Sequence, residues 1–230
     1  MPTILAVETS TELASVALLL KDRLLVREAA SVQTHSQSLL PMVQAVLAEA
    51  GIRLADCDAI AFGAGPGSFT GVRTACGAVQ GLAFGADLPV APVGTLDAMA
   101  EACREKTGAS DVLCLLDARM GEVYWAQFRH GADGWQTVVA PRLSSPADVL
   151  PQGQTLACGN GLTAYADAFS GRDVLAGSQA GIMPHAAQIA ALARLAVARG
   201  ETLDAAAAQP VYLRNKVAYT TAERMAGKAA

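Results

Sequence analysis

Short apolar runs separated by polar turns open the chain, and a longer period follows them. Three runs rich in β-forming residues occupy residues 3–8, 13–20 and 23–30. Because only a few polar residues join them, they predict an antiparallel meander of three strands. From Leu39 to Ala50 the apolar residues recur at helical spacing, and Gly51 follows as a C-terminal stop. The pattern therefore predicts three strands and a helix.

A comparable order of elements returns in the second half. A buried strand at 57–63, a helix at 70–85 and a strand at 88–93 complete the first set. After a helix at 95–106, the second set is predicted to have three strands, a short helix, a strand and a helix. In that order they lie at 111–118, 121–128, 134–141, 146–150, 154–159 and 162–169. Two tandem βββαβα-type lobes are the topology of the α/β actin–hexokinase–Hsp70 (ribonuclease H-like) superfold.

The two lobes divide the chain near its middle. We place an N-terminal lobe at 1–106 and a C-terminal lobe at 107–230. The last predicted helix, at 185–200, is amphipathic to apolar. We expect its surplus apolar surface to pack across the second lobe or on a partner.

Composition and charge narrow the function classes. Residues are 52% hydrophobic and 17% charged, the formal net charge is −4, and lysine and arginine do not cluster. A protein that binds nucleic acid by itself usually has a basic face, so we expect any RNA to be carried by another subunit. The five cysteines never form C-x-x-C, which predicts reduced thiols. With no signal-peptide pattern and no apolar run near the roughly 18 residues of a membrane span, the chain is predicted to be cytoplasmic.

The first candidate site is the turn after the first strand, Glu8-Thr9-Ser10-Thr11. In nucleotide-binding members of the superfold, an acidic residue followed by hydroxyl-bearing residues and glycine lies there and holds a metal-bound water and phosphate. This turn has the acid and the hydroxyl groups but no glycine. An ordinary polar turn is the better interpretation of the tetrapeptide alone, because serine and threonine favour turns and short motifs match by chance.

The second candidate is FGAGPGSFTGVRTACG (62–77), where a strand leads into a helix. The P-loop pattern fails because the first basic residue is Arg73, and the dinucleotide fingerprint fails because Thr70 stands in place of its third glycine. Glycines would let the backbone approach something closely, and hydroxyl groups and a helix start are at hand. The candidate residues are Gly65, Gly67, Ser68, Thr70 and Gly71. We interpret the stretch as a loop with a specific role, which need not be phosphate binding.

Residues for metal or hydrolytic chemistry are incomplete. The histidines at 35, 130 and 185 form neither H-x-x-x-H nor H-E-x-x-H, so no two-histidine metal site is predicted. Ser68 lies in a sequence that resembles the nucleophile elbow G-x-S-x-G without matching it, and no base partner can be assigned. Asp117 lies where the superfold has its second acidic residue, but ARMGE follows it, which favours a salt bridge to Arg119 or a partner contact. The sequence predicts no complete catalytic set.

Five stretches together resemble one family. They are ILAVETSTELASVALL (4–19), HSQSLLPMVQ (35–44), GAGPGSFTGVRTACGAVQGLA (63–83), DARMGEVYWAQF (117–128) and QPVYLRNKVA (209–218). These are similar to the TsaB (YeaZ) family, bacterial subunits of the complex that forms tRNA threonylcarbamoyladenosine. The resemblance covers nearly the whole chain, and GPGSFTGVR and DARMGEVYWA are long enough to be specific. Family members commonly have aspartate where this chain has Glu8, which weakens the interpretation of that turn as a nucleotide site.

The resemblance implies a non-catalytic scaffold with the two-lobed actin-like fold, a paralogue of the catalytic subunit TsaD. Such a scaffold pairs with TsaD and is joined by TsaE, a P-loop ATPase. The complex transfers threonylcarbamoyl to N6 of adenosine 37 in tRNAs that read codons beginning with adenine. The loops at 8–11 and 65–71 would then be degenerate phosphate loops, with no cofactor and tRNA contact only through the complex. A nucleotide shared at the partner interface stays open, as do an ATP-dependent phosphotransferase of this fold and a glycoprotease-type metallopeptidase.

The family pairs through helices of the first lobe, and this chain has two apolar helices there. We expect the helices at 36–50 and 70–85 to form a four-helix bundle with a partner's matching pair. The predicted interface residues are Leu39, Leu40, Val43, Val46, Leu47, Val72, Ala75, Val79 and Leu82. An apolar face exposed on a free monomer would favour self-association, so we expect a homodimer in the absence of TsaD. The alternative is that these stripes are simply core.

Overall fold

Two β-sheets, each starting with an antiparallel meander, organise the chain. The computed structural model describes residues 1–29, 35–172 and 176–214. The first sheet has the order β3-β2-β1-β4-β5, with β4 and β5 parallel to β1. Its strands are β1 (Ile4–Glu8), β2 (Ala14–Leu20), β3 (Arg23–Ala29), β4 (Ala59–Gly65) and β5 (Val90–Gly94). The helices of this half are α1 (His35–Ala50), α2 (Phe69–Ala86) and α3 (Thr95–Thr107).

The second sheet repeats the arrangement of the first with one strand fewer among the described residues. Its order is β8-β7-β6-β9, with β9 parallel to β6. The strands are β6 (Asp111–Asp117), β7 (Val123–Gly131), β8 (Gly134–Ser144) and β9 (Leu156–Cys158), and the helices are α4 (Gly161–Ala164), α5 (Ala166–Phe169) and α6 (Ala186–Ala198). The predicted helix at 162–169 is thus divided at Tyr165. The duplicated α/β element order of the actin-like superfold is confirmed.

Helix α6 packs on the first sheet, which corrects the expectation that it would lie across the second lobe or on a partner. Every residue of β1 is buried, because helices cover both faces of the sheet. Helices α1 and α2 pack on the face that carries Leu5 and Val7. The opposite face is rich in alanine, including Ala6, and α6 lies close against it with its own small residues such as Ala190. Two surfaces of small side chains allow this close approach.

Helix α3 connects the two lobes. Its Ala98 packs with the alanine-rich face of the first sheet, while Leu96, Met99 and Cys103 belong to the core under the second sheet. All strands of the first sheet precede residue 107, and all strands of the second sheet follow it. The helices do not divide in this way, because α3 packs with both sheets and α6 packs on the first. Among the helices in the described part of the chain, none combines the length and the hydrophobicity that crossing a bilayer requires.

Candidate interlobe site

The glycine-rich stretch forms the loop between β4 and α2. Ser68 is the N-cap of α2, since its Oγ accepts a hydrogen bond from the Gly71 N–H at 3.3 Å. Gly65 has a φ of +110°, a backbone conformation that is rare for residues with a side chain. The predicted strand-to-helix transition and the cap are thus both present, and Thr70 lies exposed in the first turn of the helix.

The turn after β1 packs directly on this loop. The Ser68 N–H donates to the Ser10 carbonyl at 2.7 Å, and the Thr9 hydroxyl donates to the Gly71 carbonyl at 2.7 Å. A Cβ atom at Gly67 would lie 2.6 Å from the Ser10 Cβ, and one at Gly71 would collide with the Thr9 carbonyl oxygen. The close approach that these two glycines permit is therefore an approach of the chain's own β1–β2 turn.

The carboxyl group of Glu8 is buried beneath this turn. Its Oε1 accepts the Ser10 N–H, and its Oε2 has no hydrogen-bond partner among the described residues. The side chain lies over Gly63 of β4, where a Cβ atom would collide with it. Burial raises the pKa of the Glu8 carboxyl, and the hydrogen bonds from Ser10 only partly oppose this. The environment therefore favours the neutral acid.

A cleft between the two lobes begins where the two loops meet. It encloses a cavity of about 510 Å³. The lining includes Ser10, Thr11, Gly67 and Ser68 from the first lobe and Asp117, Arg119 and Asn160 from the second. The structure thus brings part of both candidate loops to one cavity. The Glu8 carboxyl and the Thr9 hydroxyl do not line it, because each is buried and hydrogen-bonded within the chain.

The turn that follows β6 forms the second-lobe side of the cleft. Asp117 accepts hydrogen bonds from the Arg119 N–H and the Tyr165 hydroxyl, each at 2.8 Å, and pairs with the Arg119 guanidinium at 3.0 Å. The predicted salt bridge is therefore confirmed. Arg119 and Met120 have φ values of +61° and +60°, which non-glycine residues adopt at a cost.

The segment at 211–214, which the sequence left without a role, crosses this cleft. Val211, Tyr212 and Arg214 all line the cavity. Arg214 forms an ion pair with Glu122 at 2.6 Å. Lys216, the other basic residue of the stretch QPVYLRNKVA (209–218), lies outside the described residues. The resemblance stretch QPVYLRNKVA was the only sequence signal for this contact.

The three histidines lie in separate places, whereas the Cys158 thiol lies 3.7 Å from the Cys114 sulfur. His35 is 3.3 Å from the Glu12 carbonyl, His130 contacts the Trp135 ring, and His185 caps α6. Within residues 1–29, 35–172 and 176–214, no three histidine, cysteine or acidic residues are grouped as a metal site would require. All five cysteines are buried free thiols. Burial raises the pKa of Cys57 to about 11, which lowers its reactivity.

The two helices of the predicted interface each have a buried and an exposed face. Six of the predicted residues are buried in this chain: Leu39, Val43, Val46, Val72, Ala75 and Val79. Their burial agrees with the alternative that these stripes are core, and their assignment to a partner interface stays a prediction. Leu47 and Leu82 are half-buried against that core, and only Leu40 is well exposed.

A stripe of glycines and aromatic residues forms the exposed face of α2. Phe84 is 83% exposed, and Phe69, at the start of the helix, is 38% exposed. Between them, Gly77 and Gly81 lie on the surface, and a Cβ atom at either would meet no described atom within 4 Å. The helical period of the sequence did not show that these two glycines face outward.

Comparisons with known proteins agree with this fold. The family model of TsaD, a tRNA N6-adenosine threonylcarbamoyltransferase, matches residues 27–225. The tRNA threonylcarbamoyladenosine biosynthesis protein TsaB of Haemophilus influenzae is 40% identical over 229 residues, 94% of this chain and 95% of that protein. TsaB of Escherichia coli is 39% identical over 94% of this chain and 96% of its own. The solved structure of YeaZ from Pseudomonas aeruginosa has a TM-score of 0.85 and 41% identity over 93% of this chain and 100% of that one.

Proposed function

The chain belongs to the TsaB family, and we propose that it is a non-catalytic scaffold subunit in the synthesis of tRNA threonylcarbamoyladenosine. In this proposal it pairs with TsaD, and TsaE joins the pair. The assembled complex then transfers threonylcarbamoyl to N6 of adenosine 37 in tRNAs that read codons beginning with adenine. The chain works in the cytoplasm and meets tRNA only as part of the complex, in keeping with its net charge of −4.

The observation that carries the scaffold role is the closed state of the two loops. A phosphate site at a helix start needs free backbone N–H groups that point at the ligand. Here the Ser10 N–H donates to Glu8, the Ser68 N–H to Ser10, and the Gly71 N–H to Ser68. Because these three N–H groups already have acceptors within the chain, the two loops act as a structural joint of the first lobe.

The exposed face of α2 supports pairing with a partner helix. Surface glycines allow two helix backbones to approach closely, and the exposed ring of Phe84 offers a large apolar group for a partner's pocket. Leu40 on α1 is 48% exposed and adds an apolar side chain from the neighbouring helix. We propose that this surface, defined by Leu40, Gly77, Gly81 and Phe84, binds TsaD, or a second copy of the chain when TsaD is absent.

A reconstituted reaction tests the proposal. Purified TsaD, TsaE and the enzyme that makes threonylcarbamoyl-adenylate are incubated with tRNA, with and without this chain. We expect modified adenosine only when the chain is added, and none from the chain alone. Equal product without it would contradict the scaffold role.

A titration of the isolated chain with Mg-ATP separates the proposal from the phosphotransferase alternative. The closed loops predict no tight binding and no turnover on hydroxylated acceptors. Tight binding with turnover would establish the phosphotransferase instead. Zinc or iron bound stoichiometrically to the purified chain would favour the metallopeptidase.

A further inference from the structure

The segment after α6 runs along the first lobe toward the cleft. Leu203 pairs with Val90 of β5 through two backbone hydrogen bonds of 2.8 Å. The Ala208 carbonyl accepts a hydrogen bond from Gln80 Nε2 on α2 at 2.9 Å. The Val211 N–H then donates to the Ala64 carbonyl of β4 at 2.7 Å. The segment is therefore anchored to the first lobe at successive points.

At the end of β4 this segment occupies the space beside the glycine loop. A Cβ atom at Gly65 would lie 2.7 Å from the Val211 carbonyl oxygen. Open α/β sheets bind their ligands at the carboxyl ends of the strands. In this chain, the chain's own backbone lies at that position, against the last residue of β4.

Tyr212 fixes the segment to the start of α2. The Tyr212 hydroxyl accepts a hydrogen bond from Arg73 Nε at 2.7 Å, and its ring centroid lies 5.7 Å from that of Phe69. The Arg73 guanidinium lies 3.5 Å from the Phe69 ring centroid, so the three side chains form one stack. This stack belongs to the first lobe.

The next two residues are bound to the second lobe. Leu213 packs against the core under the second sheet. Arg214 Nη2 donates to Glu122 at 2.6 Å and to the Arg119 carbonyl at 3.2 Å. Arg214 therefore holds the turn at Arg119 and Met120, whose positive φ values persist only where surrounding contacts maintain them.

We propose that residues 211–214 form an interlobe strap, with Arg214 as its positioning residue. The strap joins the glycine loop of the first lobe to the strained turn of the second and keeps the cleft at one opening. It also fills the space beside Gly65. This inference rests on contacts within the chain and stands whether or not the scaffold function is correct.

Hydrogen exchange of the full-length chain tests whether the strap couples the lobes. Tyr212→Ala removes a contact to the first lobe, and we expect it to speed exchange of the Ala118 and Glu122 amides in the second lobe at least about fivefold. Both amides donate within the turn, to the Glu122 and Arg119 carbonyls. Reciprocally, Arg214→Ala removes a contact to the second lobe and should speed exchange of the Ser68 amide of the first lobe by a similar factor.

Two controls match these variants. Arg53→Ala breaks an exposed ion pair with Asp56 in the first lobe, and Arg199→Ala breaks an exposed ion pair with Glu201. Neither should change the exchange of the three reporter amides. Should Arg214→Ala fail to fold, Glu122→Gln weakens the same ion pair from the other side. Faster exchange in the opposite lobe supports the strap, and changes confined to the lobe that the altered side chain touches overturn it.

Discussion

Gly71 lies directly against the carbonyl oxygen of Thr9, and the Thr9 hydroxyl donates back to the Gly71 carbonyl at 2.7 Å. A glycine at this point of a strand-to-helix loop is typical of phosphate binding. Here its missing side chain makes room for a neighbouring turn of the same chain. The glycine pattern therefore contributes to the stability of the first lobe.

We expect Gly71→Ala to destabilise the chain by about 1–3 kcal/mol, because the new methyl group has to displace the Thr9 backbone. Gly77→Ala on the same helix is the matched control, since a Cβ atom there meets nothing within 4 Å in the described structure. This control should leave stability unchanged or raise it by up to about 1 kcal/mol, the helix propensity gain of alanine over glycine. Urea unfolding of both variants measures the difference. Equal stabilities would show that the β1–β2 turn yields easily.

The exposed stripe of α2 predicts a variant that fails to pair but still folds. Gly81→Arg places a long charged side chain where helix backbones would meet, and the site is open in the chain itself. We expect loss of the complex with TsaD and of the homodimer, with an unchanged far-UV spectrum and no loss of thermal stability. Sedimentation of the mixture and of the chain alone measures both associations.

The matched control for this variant is Gly131→Arg, which adds the same side chain at an open glycine of the second lobe. It should pair normally. If Gly81→Arg pairs as well as Gly131→Arg, the partner binds elsewhere. Charged substitutions at Leu40 and Leu47 would be less suitable for this test. Leu47 packs partly against the core, so a charge there would also destabilise the monomer.

Periodicity predicted most of the fold, because strands and helices each leave their own spacing in the sequence. It could not separate core from surface on α1, where neighbouring Leu39 and Leu40 are 1% and 48% exposed. That division depends on how the helix lies on the sheet, which long-range contacts decide. For the same reason, the sequence shows α6 as apolar without showing that the alanine-rich face of the first sheet, with Ala6, receives it.

The glycines also show that the sequence pattern could not separate buried from exposed positions. Gly71 and Gly77 both follow the strand in one glycine-rich stretch, yet one is buried against Thr9 and the other is open. The strap was also beyond local pattern reading, because Arg214 meets Glu122 across 92 residues. Only the family resemblance marked that stretch.

The buried thiols predict slow modification of the native chain. All five cysteines are buried, and burial raises the pKa of Cys57 to about 11, so little reactive thiolate forms near neutral pH. We expect a thiol reagent at neutral pH to label none of the five within the time that labels all of them in denaturant. Mass spectrometry of the labelled chain counts the adducts. Rapid labelling of one native cysteine would show local opening at that site.

The buried carboxyl of Glu8 predicts a stability that falls as pH rises. Burial raises the pKa of Glu8 in the folded chain, whereas a glutamate in the unfolded chain ionises near its ordinary pKa of about 4.3. Below that pH Glu8 is protonated in both the folded and the unfolded chain, so its ionisation does not lower the free energy of unfolding. As pH rises toward the folded-state pKa, the unfolded chain releases the proton more easily, so the free energy of unfolding decreases.

Glu8→Gln removes this titration while keeping the size of the side chain and an oxygen for the Ser10 N–H. The stability of the wild type relative to Glu8→Gln should therefore be greatest in acid and should fall as pH rises above about 4. Urea unfolding at a series of pH values measures the difference. Glu201→Gln is the control of opposite sign, since the hydrogen bond from Arg199 lowers the pKa of that exposed carboxyl. A difference between wild type and Glu8→Gln that stays constant with pH would mean that the Glu8 carboxylate is stabilised where it is buried.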